Sequence, residues 1–228
     1  MRVLELFAGS RSIGKVAEEL GHQVFSVDIN NFKDIDLAID ILDLDKHKLM
    51  EKMFKKGIDD IDFIWASPPC THFSVTQIGR NWNYDNTPKT KGAELGVKLV
   101  LKTLEIIKNF NPKFWYIENP RGKLRKLNIM KGLPRITVWY CRYGDSAAKP
   151  TDIWSNNINS LFNPNGWNPR PECFNGNIKC HHDKQPRGYE AKKNSGALGK
   201  GTQGKKGNYE RSKIPYELCK EILTSCFL

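Results

Sequence analysis

Two segments of this 228-residue chain carry side chains that could react with a substrate. In Pro68-Pro69-Cys70, two prolines hold the backbone rigidly just before a thiol. In Glu118-Asn119-Pro120, a carboxyl group directly follows another apolar run and precedes a proline. A thiol can add to an electron-poor ring while a carboxyl group protonates a nitrogen of that ring. Taken singly, most cysteines are buried and inert, and Glu118 could pair with a nearby arginine.

A glycine-containing turn near the amino terminus is typical of a nucleoside pocket. Gly9 ends an apolar run, and Asp28 follows at the end of the next apolar run, a spacing that suits a carboxylate accepting hydrogen bonds from ribose hydroxyls. The turn nearly forms a phosphate-binding loop, but Val16 stands where a serine or threonine would hold magnesium. A nucleoside cofactor is therefore favoured over a triphosphate, and a purely structural turn is the alternative.

Cysteine and histidine are concentrated in the last third of the chain. Cys173, Cys180, His181 and His182 lie close together in sequence, and such side chains can bind zinc. We predict Cys173, Cys180 and His182 as ligands of a structural zinc ion, with Cys141 as a further candidate. The spacing matches no standard zinc finger, so a polar loop with incidental histidines is the alternative.

The elements that must position these groups alternate between strand and helix. Strands are predicted at 3–7, 23–27, 62–66, 113–117 and 136–141, and helices at 12–20, at 215–226 and around an apolar face of Val97, Val100, Leu101, Leu104 and Ile107. This order predicts an α/β fold with a doubly wound, mostly parallel sheet. Ligands bind at the carboxyl ends of such strands, where Cys70 and Glu118 could face one substrate.

The composition of the second half predicts contact with a polyanion. The net charge is +11 and the pI about 9.3, which favours nucleic acid over an anionic membrane, with a solvated lysine-rich surface as the alternative. Nine basic residues lie between 183 and 213, and we interpret them as phosphate contacts: Lys184, Arg187, Lys192, Lys193, Lys200, Lys205, Lys206, Arg211 and Lys213. We divide the chain into a catalytic domain (1–154), a loop-rich basic region (155–212) and a returning helix (213–228).

Two classes of protein are disfavoured. No apolar run is long enough to cross a bilayer, and Glu5 interrupts the apolar amino terminus, so neither a membrane protein nor a secreted one is expected. Six scattered cysteines suit a reducing compartment. We expect an intracellular protein, in the cytoplasm or nucleoid, that is a monomer.

These motifs resemble the cytosine-C5 methyltransferase family, and the chain is most similar to short virus- or phage-type members. The resemblance covers residues 1–154 and rests on Leu6-Phe7-Ala8-Gly9, Asp28, Pro68-Pro69-Cys70 with Phe73-Ser74, and Glu118-Asn119, in that order. Ser212-Lys213-Ile214-Pro215 resembles the family's last cofactor-pocket motif. The resemblance implies the Rossmann-like class I methyltransferase fold, S-adenosylmethionine as cofactor, double-stranded DNA as partner, and a role in restriction-modification or viral genome modification.

The resemblance also implies a role for each matched residue. Phe7, Gly9, Asp28, Asp40, Ile41 and Pro69 would bind the cofactor, with Asp43 as a rival to Asp40. Cys70 would attack C6 of a flipped-out cytosine, and Glu118 would contact the ring nitrogen and amino group. An RNA cytosine-C5 methyltransferase and a catalytically inactive DNA-binding homologue are the alternatives.

One motif departs from the family. Two arginines usually follow the Tyr-Gly turn, but here Lys149 and Thr151 occupy those places after Tyr143-Gly144. Lysine keeps the charge and loses the two-pronged geometry of arginine. The basic catalytic residue is therefore Lys149, or else Arg121 or Arg142 replaces it.

Overall fold

The computed structural model describes residues 1–175, 177–182 and 208–227, which are organised around one seven-stranded sheet. Its strands are β1 (Arg2–Leu6), β2 (Gln23–Asp28), β3 (Leu37–Ala38), β4 (Phe63–Ala66), β5 (Phe114–Pro120), β6 (Arg135–Trp139) and β7 (Pro150–Ser155). The helices are α1 (Ser12–Glu19), α2 (Lys46–Lys55), α3 (Ile78–Asn81), α4 (Lys91–Phe110), α5 (Asn208–Ser212) and α6 (Tyr216–Ser225). Short 3-10 helices lie at Ile41–Asp43, Val75–Gln77, Leu124–Lys126, Asn128–Met130 and Tyr140–Tyr143.

The sheet confirms the predicted doubly wound architecture. Its strand order is β3-β2-β1-β4-β5-β7-β6, in which the first five strands pair in parallel and β7 runs antiparallel to both neighbours. Central strands are buried along nearly their whole length because helices cover both faces. Helices α2 and α4 contribute to one hydrophobic core and helices α1 and α6 to the other.

Two strand boundaries differ from the prediction by more than one residue. β5 continues through Glu118 to Pro120, because β7 pairs with it from Tyr116 to Pro120 and completes its backbone hydrogen bonds. β6 stops at Trp139, and a 3-10 helix turns the chain before Gly144, which has a φ of 87°. Both boundaries depend on pairing with β7, which local apolar patterning does not report.

The apolar face of α4 is displaced by about one residue from the predicted face. Ala93, Gly96, Val100, Thr103 and Ile107 are buried, whereas Leu101 is 47% exposed. Leu101 lies about 100° around the helix from Val100, outside the stripe that faces the sheet.

The C-terminal helix returns to the amino-terminal half of the chain. Leu218 and Ile222 of α6 are fully buried in the core that also holds Ile13 and Ala17 of α1.

Seven of the nine predicted phosphate contacts lie outside the described residues, namely Lys184, Arg187, Lys192, Lys193, Lys200, Lys205 and Lys206. Among the described residues, no helix has both the length and the apolar character needed to span a membrane.

Candidate active site

The sheet register brings the predicted reactive residues to one edge. Leu6 is level with Val27 and Ala66, and Ala66 is level with Ile117. The next residues along these four strands are therefore adjacent at the carboxyl ends: Phe7, Asp28, Ser67 and Glu118. This is the edge at which parallel α/β sheets bind their ligands.

The loop that carries Cys70 is held by hydrogen bonds to its own backbone. The Asn119 amide donates to the carbonyl of Pro68 at 2.8 Å, and the N–H groups of Phe73 and Ser74 donate to the carbonyl of Cys70. The N–H of Lys123 donates to the carbonyl of Phe73 at 2.7 Å. These bonds tie the loop after β4 to the chain that leaves β5, so the thiol has a defined position.

Glycines allow neighbouring segments to pack closely on this loop. A Cβ on Gly122 would lie 2.3 Å from the carbonyl oxygen of Phe73, and a Cβ on Gly92 would lie 2.2 Å from the His72 ring. The Phe73 ring is fully buried and stacks on Trp82 with centroids 5.7 Å apart. A side chain at Gly122 would push the Cys70 loop away from the sheet edge because it would meet the loop backbone, whereas one at Gly92 would displace the His72 ring.

The thiol of Cys70 is half-buried, and it lies in a field of mixed sign. Burial raises its pKa, and the negative charge of Glu118 raises it further. The cations of Lys149 and Arg211 oppose this increase. Cys70 and Glu118 are thus electrostatically coupled, and the two cations do not outweigh the effect of burial on the pKa of the thiol.

Glu118 is buried, and a tyrosine positions its carboxylate. The hydroxyl of Tyr140 donates to Oε1 of Glu118 at 3.0 Å. Burial, with the nearby Glu118 charge, raises the pKa of Tyr140, so the hydroxyl stays protonated and able to donate. Tyr140 was not among the residues predicted from sequence, because nothing in the local pattern marks a residue just after a strand as a partner of Glu118.

Lys149 is the basic candidate that the structure brings to the thiol. Its Nζ lies 4.3 Å from the centroid of the Tyr140 ring and donates to the carbonyl of Arg211 at 3.0 Å. Arg121 lies over the Trp139 ring at 5.4 Å, and Arg142 donates to the carbonyl of Pro171. Of the three basic candidates, Lys149 is the one whose charge lowers the pKa of Cys70.

The turn after β1 forms one wall of a cleft. Phe7 and Gly9 have φ angles of 56° and 46°. The N–H of Gly9 donates to Oδ2 of Asp28 at 3.0 Å, and the N–H of Asn30 donates to Oδ1 at 2.8 Å. The cleft has a volume of about 410 Å³ and is lined by Gly9, Ser10, Lys15, Phe32, Lys33, Asp34 and Tyr209. That volume is within the range of small-molecule pockets.

The remaining predicted cofactor residues have unequal exposure. Asp40 caps the 3-10 helix that follows it, accepting a hydrogen bond from the N–H of Leu42 at 2.9 Å. Ile41 is packed in the core, whereas Asp43 and Pro69 are exposed. A larger cavity of about 590 Å³, beside Met1 and Asp62, lies at the opposite end of the strands and contains none of the predicted site residues.

The segment after the basic region returns to the cleft. The N–H of Ile214 donates to Oγ of Ser12 at 3.1 Å, next to the glycine turn. Arg211 contributes positive charge at Cys70. Arg211 was counted in the sequence as a phosphate contact, and its effect on the thiol depends on a tertiary approach that the sequence does not mark.

The predicted zinc ligands lie together with Cys141. The ligand atoms of Cys141, Cys173, Cys180 and His182 are all within 4.8 Å of one another, and all four residues are buried. His181 is exposed, and its Nε2 lies 3.1 Å from the carbonyl oxygen of Asp145. The fold therefore groups the three predicted ligands with the cysteine that the sequence left as a further candidate.

The architecture and the comparisons together define the class of protein. Helices on both faces of a mostly parallel sheet, with a glycine turn after β1, form the Rossmann-like fold of S-adenosylmethionine-dependent methyltransferases. Residues 1–132 match the family of C-5 cytosine-specific DNA methylases, and the chain belongs to that family. Its members use S-adenosylmethionine to methylate cytosine at C5.

One curated protein and one solved structure are similar to this chain. The chain is 28% identical over 234 residues to the "Probable DNA (cytosine-5)-methyltransferase" of Frog virus 3 (isolate Goorha), covering 99% of this chain and 100% of the relative. A candidate DNA modification methyltransferase encoded within an Escherichia coli prophage has a solved structure with 18% identity and a TM-score of 0.50. That similarity covers 68% of this chain but only 46% of the prophage protein, and it concerns the fold alone.

Proposed function

We propose that this protein methylates C5 of cytosine in DNA through a transient covalent bond between Cys70 and C6 of a flipped-out base. The observation that carries the proposal is the pairing of a half-buried thiol after β4 with a buried carboxylate on the adjacent β5. The two groups are close enough for the charge of Glu118 to raise the pKa of Cys70. Such a pair can perform nucleophilic addition coupled to proton transfer.

The mechanism couples attack by the Cys70 thiol to protonation of the cytosine ring by Glu118. As Sγ of Cys70 bonds to C6, the thiol loses its proton and N3 of the ring gains one through the Glu118 carboxyl group. The Tyr140 hydroxyl keeps Oε1 of Glu118 oriented toward the ring during this transfer. Lys149 stabilises the thiolate as it forms. Once C5 carries a methyl group, a base takes the C5 proton, Cys70 leaves as a thiolate, and the N3 proton returns through Glu118, which restores the aromatic ring.

The cleft beside Gly9 fits a nucleoside cofactor. Two backbone N–H groups orient the Asp28 carboxylate and leave it lone pairs that can accept hydrogen bonds from ribose hydroxyls. Phe7, Asp40, Ile41 and Pro69 would complete the binding site around the turn. Bound there, S-adenosylmethionine would supply an electrophilic methyl group.

Charge and relatedness support DNA as the substrate. Five basic side chains that follow β5 are exposed, namely Arg121, Lys126, Lys131, Arg135 and Arg142. These side chains lie between the end of β5 and the turn after β6, and they would attract DNA phosphates whatever the base sequence. The viral relative is named for DNA methylation, and the net charge of +11 agrees with a polyanionic partner. We assign catalysis to residues 1–154, DNA contact to 155–212, and completion of the cofactor site to 213–228.

A duplex that contains 5-fluorocytosine tests the covalent mechanism. With S-adenosylmethionine present, C5 of the adduct would be methylated but would carry fluorine in place of the proton that must be lost, so the adduct should persist and migrate as a protein–DNA complex in a denaturing gel. Cys70→Ser should form no such complex and should still bind the unmodified duplex. Wild-type protein that methylates the duplex but leaves no trapped complex would contradict the role of Cys70.

The polymer is tested by supplying labelled S-adenosylmethionine with duplex DNA or with transfer RNA at equal concentration. We expect label in 5-methylcytosine of DNA. Label only in RNA would replace the DNA proposal with the RNA alternative, and label in neither would indicate an inactive homologue.

A further inference from the structure

Four buried side chains form a compact cluster outside the proposed reaction site. Cys141 lies in the 3-10 helix after β6, and Cys173, Cys180 and His182 come from the segment that follows β7. Their ligand atoms lie within 4.8 Å of one another, and Sγ of Cys173 is 3.8 Å from Nδ1 of His182. Three sulfur atoms and one imidazole nitrogen thus face a common centre.

The donor set and the spacing suit a tetrahedral zinc ion. With Zn–S bonds of about 2.3 Å and a Zn–N bond of about 2.0 Å, ligand atoms at tetrahedral angles lie about 3.5–3.8 Å apart. The distance of 3.8 Å between Sγ of Cys173 and Nδ1 of His182 lies in this range. Ligand atoms as far apart as 4.8 Å would reach the same range with a shift of about 1 Å. Thiolate and imidazole ligands select zinc over magnesium or calcium.

The surroundings fit a closed structural site. Trp139 and Ala148 pack with Cys141, Cys173 and Cys180 in one small hydrophobic cluster. The side-chain amide of Asn177 donates to Sγ of Cys173 at 3.5 Å, as neighbouring donors do for metal-bound thiolates. Each of the three cysteines is free of any disulfide. Four protein ligands leave no open position for a substrate or an activated water.

We propose that Cys141, Cys173, Cys180 and His182 bind one structural zinc ion, which fastens the segment after β7 to the end of β6. Cys141 directly follows Tyr140, whose hydroxyl holds Glu118. The metal thus stabilises the chain on both sides of its binding site without taking part in methyl transfer.

Metal analysis of the purified full-length protein tests the site without any variant. After growth with added zinc, elemental analysis should find about one zinc ion per chain. Chelation should lower the melting temperature, and zinc but not magnesium should restore it. Cobalt bound in place of zinc should give the visible spectrum of a tetrahedral site with sulfur-to-metal charge transfer.

Two matched variants assign the ligands. Cys180→Ser should retain less than about 0.2 zinc per chain, whereas His181→Ala, which changes the adjacent exposed histidine, should retain about one. His182→Cys should also retain metal, since it supplies a fourth thiolate. Wild-type protein that binds no zinc after reconstitution would overturn the proposal, as would a disulfide between two of these cysteines in protein purified with a reductant.

Discussion

The parallel half of the sheet and its antiparallel end contribute differently to the site. Strands β1 to β5 carry the glycine turn, Asp28, Cys70 and Glu118, each directly after or within a strand that local apolar patterning predicts. Tyr140 directly follows β6, Lys149 directly precedes β7, and Arg211 lies in α5. The first region positions the proposed reacting groups, and the second contributes the charge near Cys70 and the hydrogen bond to Glu118.

The comparison shows that a reactive group and its environment can depend on different ranges of sequence. Cys70 lies at the sheet edge because two prolines end β4, whereas its pKa depends on residues up to 141 positions later. Changes in the first region should therefore abolish chemistry. Changes in the second should shift its rate and its pH dependence.

Replacing the nucleophile should have the largest effect. Cys70→Ser should lower kcat by a factor of about 1000 or more, because a hydroxyl is a far weaker nucleophile at neutral pH. The dissociation constant for duplex DNA should change by less than about threefold, since phosphate contacts supply most of the affinity. Methyl transfer and gel-shift binding measured on the same preparation separate these effects. Substantial activity in Cys70→Ser would contradict the proposal that Cys70 is the nucleophile.

Removing the cation from the antiparallel end tests the second region. Lys149 lowers the pKa of Cys70, so Lys149→Met should raise that pKa and lower kcat about 100-fold at neutral pH. The rate of thiol alkylation as a function of pH should shift toward higher pH. Lys149→Arg should restore part of the activity, and Arg121→Met should leave the alkylation profile unchanged. An equal shift of the alkylation profile in Arg121→Met would indicate that the pKa of Cys70 responds to the net charge of the protein and not to Lys149 in particular.

A buried acid in the parallel half provides a stability test that does not involve the thiol. Burial raises the pKa of Glu5 from 4.5 to about 7, although Ser26 and the N–H of Ile13 donate hydrogen bonds to it. A raised carboxyl pKa means that the folded state holds this proton more tightly than the unfolded state. The resulting stability is present below pH 4.5 and is lost as the pH rises through about 7.

Glu5→Gln removes this titration. The wild type should lose about 2 kcal/mol of unfolding free energy through Glu5 between pH 5 and pH 8, and the variant should not, so the difference between them should change by that amount. Urea denaturation at both pH values measures the change. Glu51→Gln, at an exposed acid paired with Lys55, should change by less than about 0.5 kcal/mol. A pH-independent difference for Glu5→Gln would show that Glu5 does not titrate in this range.

The smallest effect should come from the residue that orients Glu118. Tyr140→Phe removes one hydrogen bond to Oε1 and keeps the ring, so kcat should fall about 10-fold while the melting temperature stays nearly unchanged. In a Glu118→Gln background the same change should cost little, because the two residues act together. Additive losses in the double variant would show that Tyr140 acts independently of Glu118.

The candidate site was predictable from sequence where its residues lie at strand ends. Gly9, Asp28, Cys70 and Glu118 were placed at one edge by strand patterning and motif order, and the sheet register agrees. Lys149 was identified through its position after the Tyr-Gly turn. Cys173, Cys180 and His182 were grouped by proximity in sequence, which detects ligands that lie on one loop.

Contacts between distant segments were not predictable in the same way. Tyr140 reaches Glu118 and Cys141 joins the other three metal-site residues from the turn that follows β6, whereas Arg211 influences Cys70 from α5. The extension of β5 to Pro120 depends on its pairing with β7, and Leu101 is exposed because it lies outside the stripe of α4 that packs on the sheet. Local periodicity records which face of an element is apolar, but not what will pack against it.

The amino-acid sequence by itself determined the α/β fold, the sheet edge that carries the reacting groups, and the thiol–carboxyl pair. Prolines, glycines and apolar periodicity act on backbone geometry within a few residues, so they can be interpreted locally. The tertiary structure decided the charge around Cys70, the partner of Glu118 and the fourth side chain of the Cys/His cluster. Electrostatic and coordination contacts depend on distances in space, and only the packed sheet brings those segments together.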